Sequence, residues 1–507
     1  MKPASFKPSF AAALAAALLV FAAGCDSLLE EPEPSTAISQ EVALSDPDAV
    51  RGIRASMYGR FHNATAMNTD WLLGPSALAD NTYFRSGQNR HAGLNRFNQQ
   101  AGIGTGTWNN LYNVINDANV LLNGVEEGVL PTGEMNKLRA EAYFFRALTM
   151  HHGVRIFGYD PNGNGGVVSP NSGPGSGFNL GIVIRTEPTL SPEDATDKAR
   201  ATVTEVYSQI ESDLSEALSL MQGLSSDVKE QSQFYVSEAA IQALMARVNL
   251  YQRDWSAADS RAQNAIDLAG SAFGSELAAP DSASVRAIFD ETNGNPEAIF
   301  TIEVDPQTES AGVNNSLAAF TAQQYIAQVP TQDLLSLYPE DDPRVRAWYG
   351  PCVNDVSGNP YTGCQNINDA GFELQKYASE QGVSLFADNY IHFRIAEMVL
   401  IQAEARLNTS GPGAAMGRLN DLREQRGAGD LSATGFDDAY DTILNSRRRE
   451  LVAEGHRFFD LKRLGRDIEK VQEIPDVPFT EFKILDDLPE NALAVNEELV
   501  QNPGYSR

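Results

Sequence analysis

Cysteine and histidine are scarce in this chain. Three cysteines, Cys25, Cys352 and Cys364, and six histidines are spread over 507 residues, and no two cysteines have the C-x-x-C spacing. That poverty argues against a zinc or iron–sulfur site. Basic residues are also short: 38 Lys and Arg stand against 67 Asp and Glu, for a net charge of −29. A surface this acidic repels phosphate backbones, which argues against nucleic acid as a partner. The same imbalance suits a saline habitat, where counterions screen self-repulsion, or serves only to keep the chain soluble. Four catalytic signatures are missing as well: G-x-S-x-G, H-E-x-x-H, the P-loop and the Rossmann glycine fingerprint. What remains is an ordinary globular composition, 42% hydrophobic and 21% charged, long enough to bury a large core.

Residues 1–24 read as an export signal. Lys2 and Lys7 precede an uncharged run from Phe10 to Ala23, too short to span a bilayer. The run ends Ala22-Ala23-Gly24-Cys25, which resembles a bacterial lipobox with Ala22 in place of the usual leucine. Cys25 is then the expected lipidated N-terminus, and acyl chains anchor by about 0.8 kcal/mol per buried CH₂. Residues 25–45 are acidic and proline-containing, as in a flexible tether.

Residues 46–507 are expected to form one mainly α-helical domain. In 46–62, Asp46 is a cap and Val50, Ile53, Met57, Tyr58 and Phe61 form a helical stripe. Apolar stripes recur over 136–157 and 201–221, and 237–269 reads as a helix pair. In that pair Ala246, Ala258, Ala262 and Ala265 fall where tetratricopeptide repeats need small residues, although Ala262 replaces the usual aromatic. A further pair is expected over 388–427. Stacked pairs would give a curved helical scaffold over about 105–270 and 385–430. A loop-rich lobe with a few short strands, AIFTIEV among them, takes about 271–384 and 431–507.

Residues 440–465 carry the most specific pattern. Taken as one helix, Arg447, Glu450, Glu454 and Arg457 share a face, with an arginine flanking each end of the carboxylate pair. Paired carboxylates can serve acid–base chemistry, but flanking cations keep both ionised, which favours a structural network. Gly455 is expected to end or bend the helix. The run Arg448-Arg449-Glu450-Leu451, with Glu454, Gly455, Arg457, Phe458, Asp460, Leu461 and Arg463, resembles the C-terminal signature of the SusD/RagB family. Arg394, Ala396, Glu397 and Ala403-Glu404-Ala405, the tail Asn496 and Gln501 to Tyr505, and the acidic start after Cys25 are similar to the family as well.

The resemblance implies a surface lipoprotein of the outer membrane that binds nutrient and delivers it to a SusC-like TonB-dependent transporter. It implies no catalysis, and it places ligands in loops and the transporter against the helical side. The loop-like stretch 70–100 offers Trp71, Tyr83, Phe84 and Arg85 as ligand contacts. The stretch 325–390 offers Trp348, Tyr349 and Tyr361, with Cys352 and Cys364 as the expected disulfide once Cys25 is lipidated. Such a bridge would contribute about 3 kcal/mol in the chain-entropy model. Aromatic faces suit sugars and peptides alike, and inward packing is the competing reading for each ring. Asp160, Asn162, Asn164 and Gly165 match the first half of a calcium loop, but Asn171 stands where the closing carboxylate belongs. No cofactor is expected beyond that incomplete match. A glycoside hydrolase using Glu450 and Glu454, and a repeat adaptor binding only proteins, are the alternative functions.

Overall fold

The computed structural model describes residues 44–506, apart from 64–66, 85–90, 98–102, 290–293, 306–307, 310–311, 313, 322–326, 340, 352–371, 378–386 and 472–473. Helix α1 (Pro47–Asn63) starts where the Asp46 carboxylate accepts the N–H groups of Asp48 and Ala49. Its stripe of Val50, Met57 and Phe61 is fully buried. Helix α2 (Thr69–Leu78) follows, with the Asn68 side chain capping Thr69, and then strand β1 (Thr82–Phe84).

The scaffold begins with α3 (Gly104–Asn119) and α4 (Thr132–Phe157). Helix α4 is buried on nearly every side, so it reads as a central strut and not as an amphipathic surface helix. Strands β2 (Asp160–Pro161) and β3 (Val167–Val168) close a turn after it. Helix α5 (Val203–Gln222) opens with a capping box of Thr202 and Glu205. Helix α6 (Glu238–Gln252) is capped by Ser237, and α7 (Trp255–Phe273) by Asp254. On α7, Ala258, Ala262, Ala265 and Ala269 have no exposed surface. These small side chains let α6 and later α8 lie close against α7.

The stretch 298–394 supplies β4 (Ala298–Ile302), β5 (Gln328–Pro330), β6 (Tyr349–Pro351), β7 (Phe372–Leu374) and β8 (Tyr390–Arg394). Strand β1 pairs with β5, β4 with β8 and β6 with β7, all antiparallel. Helices α8 (Ile395–Ser410) and α9 (Pro412–Glu424) rejoin the scaffold, and α10 (Phe436–Glu450) and α11 (Arg457–Arg463) follow. The fold is mainly helical, and its strands come in short pairs.

Three sequence expectations change. The stretch from residue 70 is not irregular at its start: it lies in α2, whose residues from Trp71 to Ala77 are all buried. The pair expected over 388–427 begins as strand β8, whose aromatic and β-branched residues pair with β4 before the helix starts at Ile395. The segment 440–465 is not one helix: α10 stops at Glu450, and Ala453 (φ 61°) and Gly455 (φ 82°) turn the chain.

The stop has a physical cause. A helix end leaves carbonyls without partners, and here Arg394 Nη2 donates to Glu450 O while Lys376 Nζ donates to Glu450 O and Val452 O. Gly455 is required twice over. Its φ is left-handed, and a Cβ there would lie 2.8 Å from the carbonyl oxygen of Trp71. That oxygen has no i+4 donor within α2, because the position is Pro75.

Candidate functional site

Two charged regions stand out, one sealed and one open. The sealed one gathers Glu297, Asp342, Glu450 and Glu454 with Arg344, Arg394, Arg426 and Lys376. Glu450 Oε1 accepts from Arg394 Nη1 at 2.8 Å and Arg426 Nη2 at 2.9 Å, and Oε2 from Arg344 Nη1 at 2.8 Å. Glu454 accepts from Arg394 Nε at 2.6 Å and from Lys376 Nζ. Burial alone would raise the Glu450 carboxyl, but Arg426, Arg394 and Arg344 outweigh it and hold the group well below its ordinary value. Burial likewise opposes ionisation of Glu454, and Arg394 with Lys376 overcomes it. Both carboxylates are ionised and shut away from solvent, so this pair has no proton to give to a substrate.

The network differs from the expected one in its partners. Arg447 does not flank Glu450; its Nε donates to Asp460 at 2.9 Å. Arg457 does not flank Glu454; it makes a two-pronged pair with Asp80 at 2.8 and 2.7 Å. Arg449 ion-pairs with no carboxylate among the described residues and donates instead to Leu337 O and Ser446 Oγ. The cations on Glu450 and Glu454 come from other parts of the chain, because the helix ends before it can bring Glu454 and Arg457 round to its own face. The C-terminal tail is pinned similarly: Asn502 accepts from Arg200 at 2.8 Å, and Tyr505 donates to Leu485 O at 3.0 Å.

The open region is a cleft of about 510 Å³. Arg51, Arg54, Tyr58 and His62 line one wall from a single face of α1. Glu134 and Lys137 from the first turns of α4, and Glu230, Phe234 and Tyr235 from the segment before α6, complete that side. Glu303, Asp305 and Glu309, just after β4, form the opposite lip. Tyr58, Phe234 and Tyr235 are half-buried and line the cleft. The Arg54 guanidinium lies 4.8 Å from the centre of the Tyr235 ring and bridges Glu141 and Glu230. Tyr58 is fixed by accepting the Val236 N–H at 3.1 Å.

The sequence candidates fall elsewhere. Trp71 is 3% exposed and stacks on His152 with ring centres 3.4 Å apart, so it is core. Trp348 and Tyr349 are also core, at 1% and 3% exposure. Trp348 donates to Val285 O and covers Lys376, and Tyr349 meets the Tyr338 hydroxyl at 3.0 Å. These three therefore do not form an exposed rim, because the two short helices and the strand that carry them pack inward. Tyr83 is half-buried on β1 opposite Val329, and Phe84 pairs in register with Gln328. Strands β1 and β5 thus bring parts of the two loop-rich stretches together. Close by, His91 joins Asp70 at 2.6 Å and Gln328 at 2.6 Å. Cys25, Arg85, Cys352, Tyr361 and Cys364 lie outside the described residues.

Asp160 is turned inward, 3.7 Å from Lys462 Nζ, while Asn162 Oδ1 accepts the N–H groups of Asn164 and Gly166. The half-match to a calcium loop is thus an amide-closed turn beside a buried ion pair. Among the described residues, no three His, Cys, Asp or Glu side chains are grouped to hold a metal ion. Nor is any described helix long and apolar enough to cross a membrane. Sequence reasoning placed Tyr58 in a core stripe and passed over Phe234 and Tyr235. Two adjacent aromatics in the polar stretch 229–237 were the available signal.

Comparison with known proteins covers the whole fold. The family model described as "Starch-binding associating with outer membrane" matches residues 33–250, and the model described as "SusD family" matches residues 296–505. SusD-like protein P38 of Formosa agariphila is 25% identical, over 95% of this chain and 96% of its own. SusD-like protein P2 of the same organism is 26% identical, over 96% and 98%. The crystal structure of a putative sugar binding protein from Bacteroides vulgatus superposes with a TM-score of 0.74, over 91% of this chain and 99% of that one, at 22% identity. The matches take in the N-terminal helices, the β8–α8 segment and the ionic C-terminus alike, and the chain belongs to the SusD/RagB family.

Proposed function

We propose that this protein binds an oligomeric nutrient, a glycan before a peptide, at the cell surface and delivers it to a TonB-dependent transporter. The observation that carries the reading is the open cleft, where three half-buried aromatic residues stand among hydrogen-bonding groups. Rings stack on sugar faces, and the carboxylates and guanidinium groups beside them can bond to hydroxyls. The family description and the sugar-binding neighbour support a glycan. The reading needs no cofactor and no catalytic group. In it, Cys25 carries the lipid that holds the protein on the outer face of the outer membrane, and the transporter is the protein partner.

Titration calorimetry on protein carrying Cys25→Ser, with a panel of neutral oligosaccharides and short peptides, tests the ligand. At least one oligosaccharide should bind, and Tyr235→Ala should weaken it about tenfold, as expected for a central aromatic contact worth more than about 1 kcal/mol. Binding of peptides alone, or of nothing, would defeat the glycan reading. The same Cys25→Ser protein should leave the membrane fraction; persistence there would defeat the anchor.

A further inference from the structure

We infer that the cleft selects by charge: it takes amine-bearing or neutral glycans and rejects those carrying uronate or sulfate groups. The inference rests on the cleft being the glycan site. Its basis is how the cations there are already committed. Arg51 holds Glu134 with two bonds of 2.7 and 3.1 Å and reaches Asp48 at 2.8 Å. Arg54 holds Glu141 with two bonds of 2.6 and 2.8 Å and Glu230 with a third. Lys137 sits 2.7 Å from the same Glu230. A ligand carboxylate or sulfate would have to share a cation whose charge a carboxylate of the protein already neutralises.

The opposite lip offers an acid group no help. Glu303, Asp305 and Glu309 lie within seven residues and all are exposed. Glu309 accepts the Asp305 N–H at 2.9 Å, and His62 Nε2 lies 3.6 Å from its carboxylate. Glu303 has no ionic partner among the described residues. Over the cleft as a whole, five carboxylates face three cations, with the excess on one lip. An ammonium group on a sugar would meet that lip favourably, and an anionic substituent would be repelled by it. The effect acts through water at the rim, so it must fade with salt as the Debye length falls from about 10 Å at 0.1 M.

Three β-1,4-linked hexamers separate the cases, one each of glucose, glucosamine and glucuronic acid, titrated into the Cys25→Ser protein. At low salt the glucosamine hexamer should bind at least tenfold more tightly than the glucuronate hexamer, with the glucose hexamer between them. The gap should shrink to about threefold or less in 0.5 M NaCl, and also in the Glu303→Gln, Glu309→Gln double variant. Equal or tighter binding of the glucuronate hexamer, or a gap that neither salt nor the double variant narrows, would overturn the charge selection and leave the glycan site standing. If none of the three binds, or Tyr235→Ala changes none of them, it is the cleft itself that fails as the site. The salt series needs no variant, so it decides the matter even if the double variant is unstable.

Discussion

The sealed ionic hub and the open cleft are built from the same kinds of charged side chain and do opposite things with them. In the hub four carboxylates meet four cations, and every side chain is nearly closed to water. In the cleft five carboxylates meet three cations, and much of the surplus faces solvent. A charge taken out of water must be matched almost completely, because an unpaired buried ion costs several kcal/mol. A charge left at a wet rim need not be matched, so an excess of one sign can persist there and act on a ligand. Balance therefore marks the part of this molecule that holds the fold, and imbalance marks the part free to recognise something.

The sharpest way to break that contrast is Glu450→Ala. It would leave Arg344, Arg394 and Arg426 without their shared carboxylate inside the protein. We expect a loss of about 3–5 kcal/mol, read by urea unfolding. A loss below about 1 kcal/mol would mean that water reaches the hub and the two regions are not different in kind.

Acid should separate them next. Burial holds His151, His152 and His456 well below the ordinary imidazole value and pushes His392 down to about 3. With folded values depressed below 6.5, these groups contribute stability that is full above pH 6.5 and lost as pH falls beneath it. Each can cost up to about 1.4 kcal/mol per pH unit in that range. Glu450 and Glu454 are also depressed, from 4.5, so the hub's share is full above pH 4.5 and lost as pH falls further. Unfolding free energy should decline from pH 6.5 downward and more steeply below 4.5. A flat profile between pH 7 and 4 would contradict the sealed interior.

How much of this was legible in the chain follows from the same contrast. Helices with local signals were readable: the Asp46 cap, the apolar stripe over 201–221 and the alanine face of α7 are each written within one stretch of chain. Glu450 and Glu454 could be singled out as a pair, but their partners could not, since Arg344 and Arg394 lie 106 and 56 residues from Glu450. Nor does local pattern reveal that tertiary donors would end α10 at Glu450. Trp71 and Trp348 looked like loop aromatics because short buried elements lack a long periodic stripe. Phe234 and Tyr235 drew no notice for a related reason: the adjacent pair is the one local signal of a cleft wall assembled from α1, α4 and a connecting segment, and it does not show which other elements complete that wall.

Arg449 gives a smaller test, inside the signature itself. Burial lowers its guanidinium to about 10, and it donates to a carbonyl and a hydroxyl. Arg449→Ala strands no carboxylate, so we expect a loss of about 1–2 kcal/mol, clearly less than for Glu450→Ala. Equal losses would mean that the two neighbours act as one ionic unit.

The smallest expected effect is the most telling about the cleft. Glu303 is exposed, and a glutamine keeps its size while removing its charge. Glu303→Gln should leave unfolding free energy within about 0.5 kcal/mol of the parent, as surface changes away from structural partners do. Like-charge repulsion from Asp305 and Glu309 nearby should, if anything, place the change on the stabilising side. A loss above about 1 kcal/mol would show that the lip carries a hidden structural pair. The difference between the hub and the cleft would then be one of degree, with the rim's charge spent on holding the fold and none of it left to sort ligands.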